Sequence, residues 1–231
     1  FLEKISYKDI DFIKKINEVY TKNETMVIAT RLNDGQRDIF DNTEANKSQA
    51  KFDIDFDNIK SSIRLLDNQE WFLKVFQNNA KIIIIGAVHI AEPLINFANH
   101  LTYEVFLIDP RSTFNEKKFN NIKIFKEWPD EALKKITIDQ NTAIVTLTHD
   151  PKLDDPALEY SLKTNAFYIG CLGSKKTHDS RILRLKKKGI NEEQLNKLNG
   201  PVGLSIGAKT PSEIAISIIS QVILFKNTAN A

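Results

Sequence analysis

Residues 86–109 contain small residues and an acid with the types and spacing of a nucleotide-binding turn. Gly86, Val88 and Ala91 stand at the three positions of the pattern G-x-G-x-x-G/A, and Asp109 lies 109 − 86 = 23 residues after Gly86. In such turns the glycines let the main chain approach a pyrophosphate, and an acid about 20 residues further on binds a ribose hydroxyl. Val88 puts a branched side chain at the second position, which disfavours ordinary NAD binding. The helix that follows still predicts an anion site at its N-terminus.

Polar or glycine-bearing turns also follow the later apolar runs of this half of the chain. The carboxyl ends of parallel strands meet at one edge of a sheet, where ligands bind. The candidate ligand-binding residues at this carboxyl edge are Gly86, Val88, His89, Asp109, Arg111, Thr148, His149, Asp150, Gly170, Cys171, Gly173, Ser174, Lys175 and Arg181, with residues 203–211 nearby. Main-chain N–H groups of glycine turns and nearby cationic side chains suit anionic oxygens, so the predicted ligand is a phosphorylated small molecule. No catalytic residue is assigned, and no metal site is predicted because the four histidines lack zinc-binding spacing.

The elements that must position these residues alternate between strands and helices. Four isoleucines at 82–85 end at Gly86, as expected for a strand buried on both faces, and helical spacing then leads to a second apolar run at 105–108. Further strands are predicted at 122–125, 143–147 and 166–169, and further helices begin at Pro129, Asp155-Pro156, Ser174, Asn191 (a short helix to Leu198) and the capping box 210–213. Residues 79–231 are therefore predicted to form an α/β Rossmann-like domain with a doubly wound parallel sheet.

Residues 1–78 are predicted to form a small N-terminal α+β module. The predicted elements are an amphipathic helix from Ile5 to Val19, a strand at 26–30, a turn at Asn33-Asp34-Gly35, and strands at 38–40, 51–56 and 71–75. The alternation of apolar and charged residues at 51–56 is typical of a half-buried strand. We interpret the module as a small antiparallel element with helical decoration.

The composition of the 231 residues excludes several function classes. With 42% hydrophobic and 27% charged residues the chain is expected to be globular and soluble, and its apolar runs are shorter than the roughly 18 residues of a membrane-spanning helix. A net charge of +2 gives nucleic-acid binding no support. The single cysteine rules out an intrachain disulfide and favours a reducing cytoplasm.

Four segments between residues 86 and 218 form a joint pattern. They read GAVHIAEPLINFA, VFLIDPR, THDPKLDDPALEYSLKTNAFYIGCLGSKKTHDSRILRL and GPVGLSIGAKTPSEIAISI. In order and spacing these segments resemble the Rossmann domain of the XdhC/CoxI family. The resemblance covers about residues 72–225, and its combination of H-D-P, Y-I-G-x-L-G-S and the final glycine-rich ending is far more diagnostic than a glycine fingerprint alone.

The resemblance implies an accessory factor for molybdenum hydroxylases such as xanthine dehydrogenase and carbon monoxide dehydrogenase. Such factors bind molybdenum cofactor, protect it during sulfuration and assist its insertion into the apoenzyme, so they act as chaperones more than as enzymes. The implied ligand is a pterin, and the implied protein partners are an apo molybdenum hydroxylase and a sulfurase. This sequence departs from the family at Val88, where G-A-G-H is typical, and before Gln77, where the glycine-rich and cysteine-containing family segment has no counterpart.

Several candidate side chains have two interpretations. His89 and His149 either hydrogen-bond the ligand or bond to the main chain near a helix start. Asp109 either touches the ligand or caps its own turn. The thiolate of Cys171 either binds molybdenum or carries sulfur, or it is a buried and inert thiol.

The residues at the start of the helix after Cys171 also have alternatives. Ser174 is interpreted as a helix N-cap because no G-x-S-x-G motif surrounds it. Lys175 and Arg181 either hold a phosphate or belong to a solvated helix face. Asp154 and Asp155 are interpreted as the start of the preceding helix.

Three functions remain open at this point. The favoured one is a molybdenum cofactor chaperone. The second is an NAD(P)-binding oxidoreductase on the same domain, supported by the fold and Asp109 but opposed by Val88 and by the lack of a Tyr-x-x-x-Lys pair. The third is a non-catalytic scaffold that has lost its ligand. Paired subunits are common among such sheets, and the apolar final helix could form the interface of a homodimer.

Overall fold

The structure is a computed structural model that describes residues 9–21, 25–41, 51–54, 56, 59, 61–76, 79–111, 119 and 122–229. The chain divides into two compact units, Phe1–Asn78 and Asn79–Ala231. The predicted helix start at Ile5 lies outside the described residues.

The first unit contains an antiparallel sheet and one flanking helix in its described residues. The elements are α1 (Ile10–Thr21), β1 (Met26–Arg31), β2 (Arg37–Asp41), β3 (Ser62–Leu66) and β4 (Gln69–Phe76), and the strand order is β2-β1-β4-β3. Strand β1 is buried on both faces. Met26 and Ile28 form a buried cluster with Val19 of α1, whereas Val27 and Ala29 belong to the core on the opposite face.

The prediction of a strand at 51–56 was wrong. Residues 51–52 form a helical turn, and Asp53 has a left-handed main chain with φ 51°, which interrupts an extended conformation. Phe52 and Ile54 are buried against the sheet, and the ring of Phe52 packs edge-on against Trp71 with centroids 5.1 Å apart. The apolar alternation therefore marks a segment that covers the sheet without pairing with it.

The hairpin of β3 and β4 was not predicted. Asp67 and Asn68 connect the strands with φ values of 51° and 57°. Two-residue hairpin turns with positive φ at both positions favour Asn, Asp and Gly. The Asp-Asn pair was the available sequence signal for this turn.

The second unit contains a parallel sheet in the order β10-β9-β8-β5-β6-β7 within its described residues. Its elements are β5 (Lys81–Ile85), α2 (Ala91–His100), β6 (Glu104–Ile108), β7 (Lys123–Phe125), α3 (Pro129–Leu133), β8 (Thr142–Thr146), α4 (Pro151–Ser161), β9 (Tyr168–Cys171), α5 (Lys175–Lys187), α6 (Glu192–Leu195), β10 (Leu198–Asn199) and α7 (Pro211–Ala229). All residues of β5 and β8 are buried, because helices cover both faces of these strands. The predicted Rossmann-like α/β fold is confirmed.

The alternate residues of β5 enter two different cores. Ile82 and Ile84 pack with residues of α2 and α7, including Leu94 and Ile218. Ile83 and Ile85 face the other side and pack with α3 and α4. This arrangement explains the unbroken isoleucine run, since each face of the strand has its own helical layer.

Several element boundaries differ from the predictions. Helix α4 begins at Pro151, one turn before the predicted Asp155-Pro156, because the Asp150 side chain caps it by accepting the Lys152 N–H at 2.9 Å. Strand β9 extends to Cys171 instead of ending at residue 169. The predicted short helix 191–198 ends at Leu195, and Leu198–Asn199 pairs with β9 as an edge strand.

None of the helices in the described residues combines the length and apolarity that crossing a lipid bilayer requires.

We expect Ile54→Ala to destabilise the first unit by about 2–5 kcal/mol, because it removes methyl groups from a fully buried site. The variant is compared with Ile63→Ala, whose side chain lies on β3 and is 61% exposed. Denaturant unfolding is followed by Trp71 fluorescence in a Trp128→Phe background, so that the signal reports the first unit. Equal midpoints for the two variants would contradict the covering role of residues 52–54.

Candidate functional site

The order of the parallel strands places a crevice beyond the carboxyl ends of β5 and β8. The chain continues from β5 to β6 and β7 on one side, whereas β8, β9 and β10 lie on the other side. Ligands of open parallel sheets bind where the strand order reverses in this way. Gly86 follows β5 with φ 107°, and a Cβ atom there would lie 2.5 Å from Cγ2 of Thr148, which follows β8. The two turns therefore touch through a position that only glycine can fill.

Asp109 closes the turn after β5 from the side of β6. Its Oδ2 accepts the main-chain N–H of Ala87 at 2.7 Å, and its Oδ1 accepts the main-chain N–H of Arg111 at 2.9 Å. The Arg111 guanidinium donates to both carboxylate oxygens, at 2.9 and 2.6 Å. Only 1% of the Asp109 side chain is exposed, compared with 42% of the Arg111 side chain. The carboxylate thus binds its own turn in this structure.

The ionisation of Asp109 reflects these contacts. Burial alone raises its pKa, but the hydrogen bonds from Arg111 and the Ala87 N–H outweigh burial and hold the pKa below its usual value. The same pairing raises the pKa of Arg111. The pair is therefore charged at neutral pH.

The start of helix α2 leaves polar groups at the surface. Ile90 is its N-cap residue and provides no side-chain hydrogen bond, while His89 is exposed and Val88 is half-buried. Uncapped helix N-termini present N–H groups that suit anions. His89 and the α2 start directly follow β5 and thus lie at the carboxyl edge of the sheet.

The turn after β8 is held by its own hydroxyl and carboxylates. Thr148 donates its hydroxyl to Asp154 Oδ1 at 2.6 Å and accepts the Asp150 N–H at 3.1 Å. Between them, His149 has a left-handed main chain with φ 60°, and its side chain is exposed. The turn thus presents an imidazole outward while Asp150 caps helix α4.

Arg181 lies behind the turn after β9 and not on the exposed carboxyl edge. It is 1% exposed and donates to Cys171 Sγ and the Leu172 carbonyl, both at 3.0 Å, and to Asp154 Oδ2 at 3.4 Å. Among the described residues its Nε is buried without a hydrogen-bond partner. Arg181 was predicted as a phosphate ligand or as part of a solvated helix face. Its guanidinium is instead buried and holds this turn through hydrogen bonds.

Cys171 is buried in the same position. Burial raises the pKa of its thiol to about 11, although the neighbouring Arg181 lowers it. The sulfur also lies 3.7 Å from Nδ1 of His178. Of the two interpretations of Cys171, the geometry favours the inert thiol, because a neutral and covered thiol is a poor nucleophile.

The start of helix α5 presents its polar groups outward. Ser174 caps the helix and accepts the Thr177 N–H at 3.2 Å, as predicted, and Lys175 and Lys176 are exposed. Gly173 has φ 149°, and a Cβ atom there would lie 3.2 Å from Thr177. Gly170 is packed closely, since its Cβ would lie 2.6 Å from the Tyr168 hydroxyl. Both glycines are thus required by packing, and the lysines are the accessible cations.

A glycine-containing loop beyond β10 is fixed to helix α7. The side-chain oxygen of Gln221 accepts the Tyr168 hydroxyl at 2.6 Å and the Gly203 N–H at 2.7 Å. Ser217 donates its hydroxyl to the Leu204 carbonyl at 2.6 Å. Gln221 and Ser217 were not predicted, because nothing in their local sequence distinguishes them from other polar positions of a helix.

Within the described residues, no group of three or more His, Cys, Asp or Glu side chains is placed to hold a metal ion.

We expect Asp109→Asn to lower the free energy of unfolding of the second unit by about 1–3 kcal/mol, because the amide loses the charge that accepts from Arg111 and Ala87. The folded-state pKa of Asp109 lies below that of the unfolded chain, so its contribution is full above about pH 4 and is lost as the pH falls through the folded-state value. Thermal unfolding of the unaltered protein and of Asp109→Asn is measured between pH 3 and 7. The difference between their unfolding temperatures should shrink only in acid. A constant difference would contradict this role.

Comparison with known proteins identifies the second unit. Residues 82–222 match the XdhC Rossmann domain. Escherichia coli YqeB, an uncharacterized protein, is 27% identical over 161 residues, which cover 68% of this chain and 29% of YqeB. The E. coli molybdenum cofactor insertion chaperone PaoD is 32% identical over 99 residues, covering 43% of this chain and 30% of PaoD. A Bacillus subtilis protein named as a probable subunit of xanthine dehydrogenase is 26% identical over 154 residues, covering 66% of this chain and 44% of that protein.

These matches span less than half of the length of each curated relative. A solved structure, that of a xanthine dehydrogenase from Bacillus halodurans, is similar in fold with a TM-score of 0.72 and 23% identity, covering 98% of this chain and 67% of the other. The domain match spans more than half of the present chain. This chain is a member of the XdhC family.

Proposed function

We propose that this protein is an accessory factor that binds molybdenum cofactor and assists its insertion into a molybdenum hydroxylase such as xanthine dehydrogenase. The observation that carries the proposal is membership of the XdhC family together with the similarity to PaoD, a molybdenum cofactor insertion chaperone. Its partners are an apo hydroxylase and a sulfurase, and it acts in the cytoplasm as a chaperone without turnover.

The carboxyl edge of the sheet supports this proposal. It presents exposed His89 and His149, the uncapped start of α2, and Lys175 beside a glycine turn. Molybdenum cofactor is a pterin phosphate, and these donors and cations suit its phosphate and polar groups.

The oxidoreductase alternative has less support at the same crevice. A dinucleotide needs close main-chain approach after β5 and an acid free for the ribose. Val88 stands at the second glycine position, and the Asp109 carboxylate is already bound by Ala87 and Arg111. The scaffold alternative requires that no small molecule binds at all.

We expect the purified protein to bind molybdenum cofactor saturably in anaerobic calorimetric titration and to bind neither NADH nor NADPH. His149→Asn should weaken cofactor binding by about two- to tenfold, because it removes one imidazole contact. Asparagine is chosen since it tolerates the left-handed main chain at this position.

His100→Asn is the matched control, because His100 is an exposed histidine at the opposite end of α2. This variant should bind as the unaltered protein does. If the unaltered protein gives no binding signal with molybdenum cofactor, the chaperone proposal is rejected and the scaffold alternative is favoured.

Val88→Gly separates the chaperone from the oxidoreductase. We expect this variant to remain without measurable NADH affinity, because the Ala87 N–H still donates to Asp109. The affinity for NADH is measured by titration into Val88→Gly and into Val88→Ala. The alanine variant is the control, because it shortens the side chain without adding main-chain freedom. Binding of NADH by the glycine variant would support a nucleotide site.

A further inference from the structure

A cavity lies on the β9 side of the sheet, beyond the end of that strand. It has a volume of about 470 Å³ and is formed by Leu172, the loop 201–208 and the first part of helix α7. Small-molecule sites commonly have volumes of about 300–1,000 Å³. None of its lining residues is ionisable. The cavity therefore suits an uncharged part of a ligand.

The side chains that line the cavity are mostly apolar, and its polar groups are the Ser205 and Ser217 side chains and the main chain of the loop. Leu172, Val202, Leu204, Ile206 and Ile214 provide the apolar side chains. The N–H groups of residues 205–208, which also line the cavity, have no acceptor within the described part of the chain. Apolar pockets with a few polar groups suit flat rings that carry hydrogen-bond acceptors, and these N–H groups are available as donors.

The cavity is held in shape by helix α7. Gln221 and Ser217 bond to the main chain at Gly203 and Leu204, and the Val202 N–H donates to the Cys171 carbonyl at 3.0 Å. A Cβ atom at Gly203 would lie 2.3 Å from Ser217 Oγ, so the loop is in close contact with the helix. The part of the wall at residues 202–204 is thus fixed before a ligand binds.

A phosphate is better placed outside the cavity than in it. The main-chain N–H groups of Lys209 and Thr210 at the start of α7 already donate to the Glu213 carboxylate, at 2.7 and 2.9 Å. Two exposed lysines lie close along the chain to lining residues: Lys209 directly follows Ala208, and Lys175 is three residues after Leu172, hence within about 11 Å by chain length. The uncharged ring of a ligand thus fits the cavity, and its charged end fits the cations outside the cavity.

We propose that this cavity binds the ring system of a pterin, with its charged substituents directed toward the exposed lysines Lys175 and Lys209. The inference rests on the proposed function for the choice of a pterin, and on the cavity for the position of the ring. The ring stacks on the apolar side chains, and its carbonyl and ring nitrogens accept from the N–H groups of residues 205–208.

The test uses the full chain and two probes, molybdenum cofactor and neopterin, with neopterin followed by fluorescence anisotropy. Ala208→Trp fills the cavity, and Ile206→Asp places a carboxylate in its wall at a side chain that is 52% exposed. Both should lose at least tenfold in affinity for both probes. The controls Ile216→Trp and Ile216→Asp alter a side chain that is 42% exposed on α7 and outside the lining, and should bind normally.

The outcomes separate this inference from the proposed function. If molybdenum cofactor binds equally to the cavity variants and the controls, the ring lies elsewhere and the inference is overturned while the function stands. If neopterin binds and the cavity variants lose it, but molybdenum cofactor does not bind, the pterin site stands and the function fails. If neither probe binds, or the cavity takes only an apolar dye such as anilinonaphthalene sulfonate, it is not a pterin site.

Discussion

The burial of Arg181 is the constraint on which the β9 side of the carboxyl edge depends. A guanidinium removed from water costs several kcal/mol unless its donors are satisfied. Arg181 meets most of this requirement by donating to Cys171, the Leu172 carbonyl and Asp154, and Asp154 in turn accepts the Thr148 hydroxyl. Burial raises the pKa of Asp154, while Thr148 and Arg181 act in the opposite direction. The turns after β8 and β9 are thereby joined beneath the surface.

The buried carboxylate of Asp109 has the same structural role on the other side of the crevice. Asp109 is as buried as Arg181, and it fixes the turn after β5 through Ala87 and the following chain through Arg111. Its carboxylate takes a main-chain donor that a bound anion would otherwise use. An acid at the position that usually contacts a ribose therefore binds the main chain of its own turn in this structure.

The fold and the site could be predicted where their signals are local. The isoleucine run at 82–85 and the Ser174 cap depend on neighbours in sequence, and parallel strands bring the residues directly after β5, β6 and β8 to one edge. The segment around Ile54 was misjudged, because alternation reports burial and does not reveal whether a partner strand exists. The role of Arg181 could not be derived either, because a charged residue near a helix start gives the same signal whether it faces solvent or a buried partner. Its pairing with Asp154 joins residues 27 apart and depends on how two helices pack.

Because of these two buried charges, the β5 side and the β9 side of the carboxyl edge differ in the groups that stay accessible to a ligand. On the β5 side, Asp109 already accepts the Ala87 N–H, while the uncapped start of α2 and the His89 side chain stay accessible. On the β9 side, Arg181 supports the turn from within, so that Lys175 remains exposed, and within the described residues the loop after β10 keeps unpaired N–H groups. The pterin ring that we propose accordingly lies on the β9 side, next to the loop with unpaired N–H groups, and not at the turn after β5 that Asp109 holds.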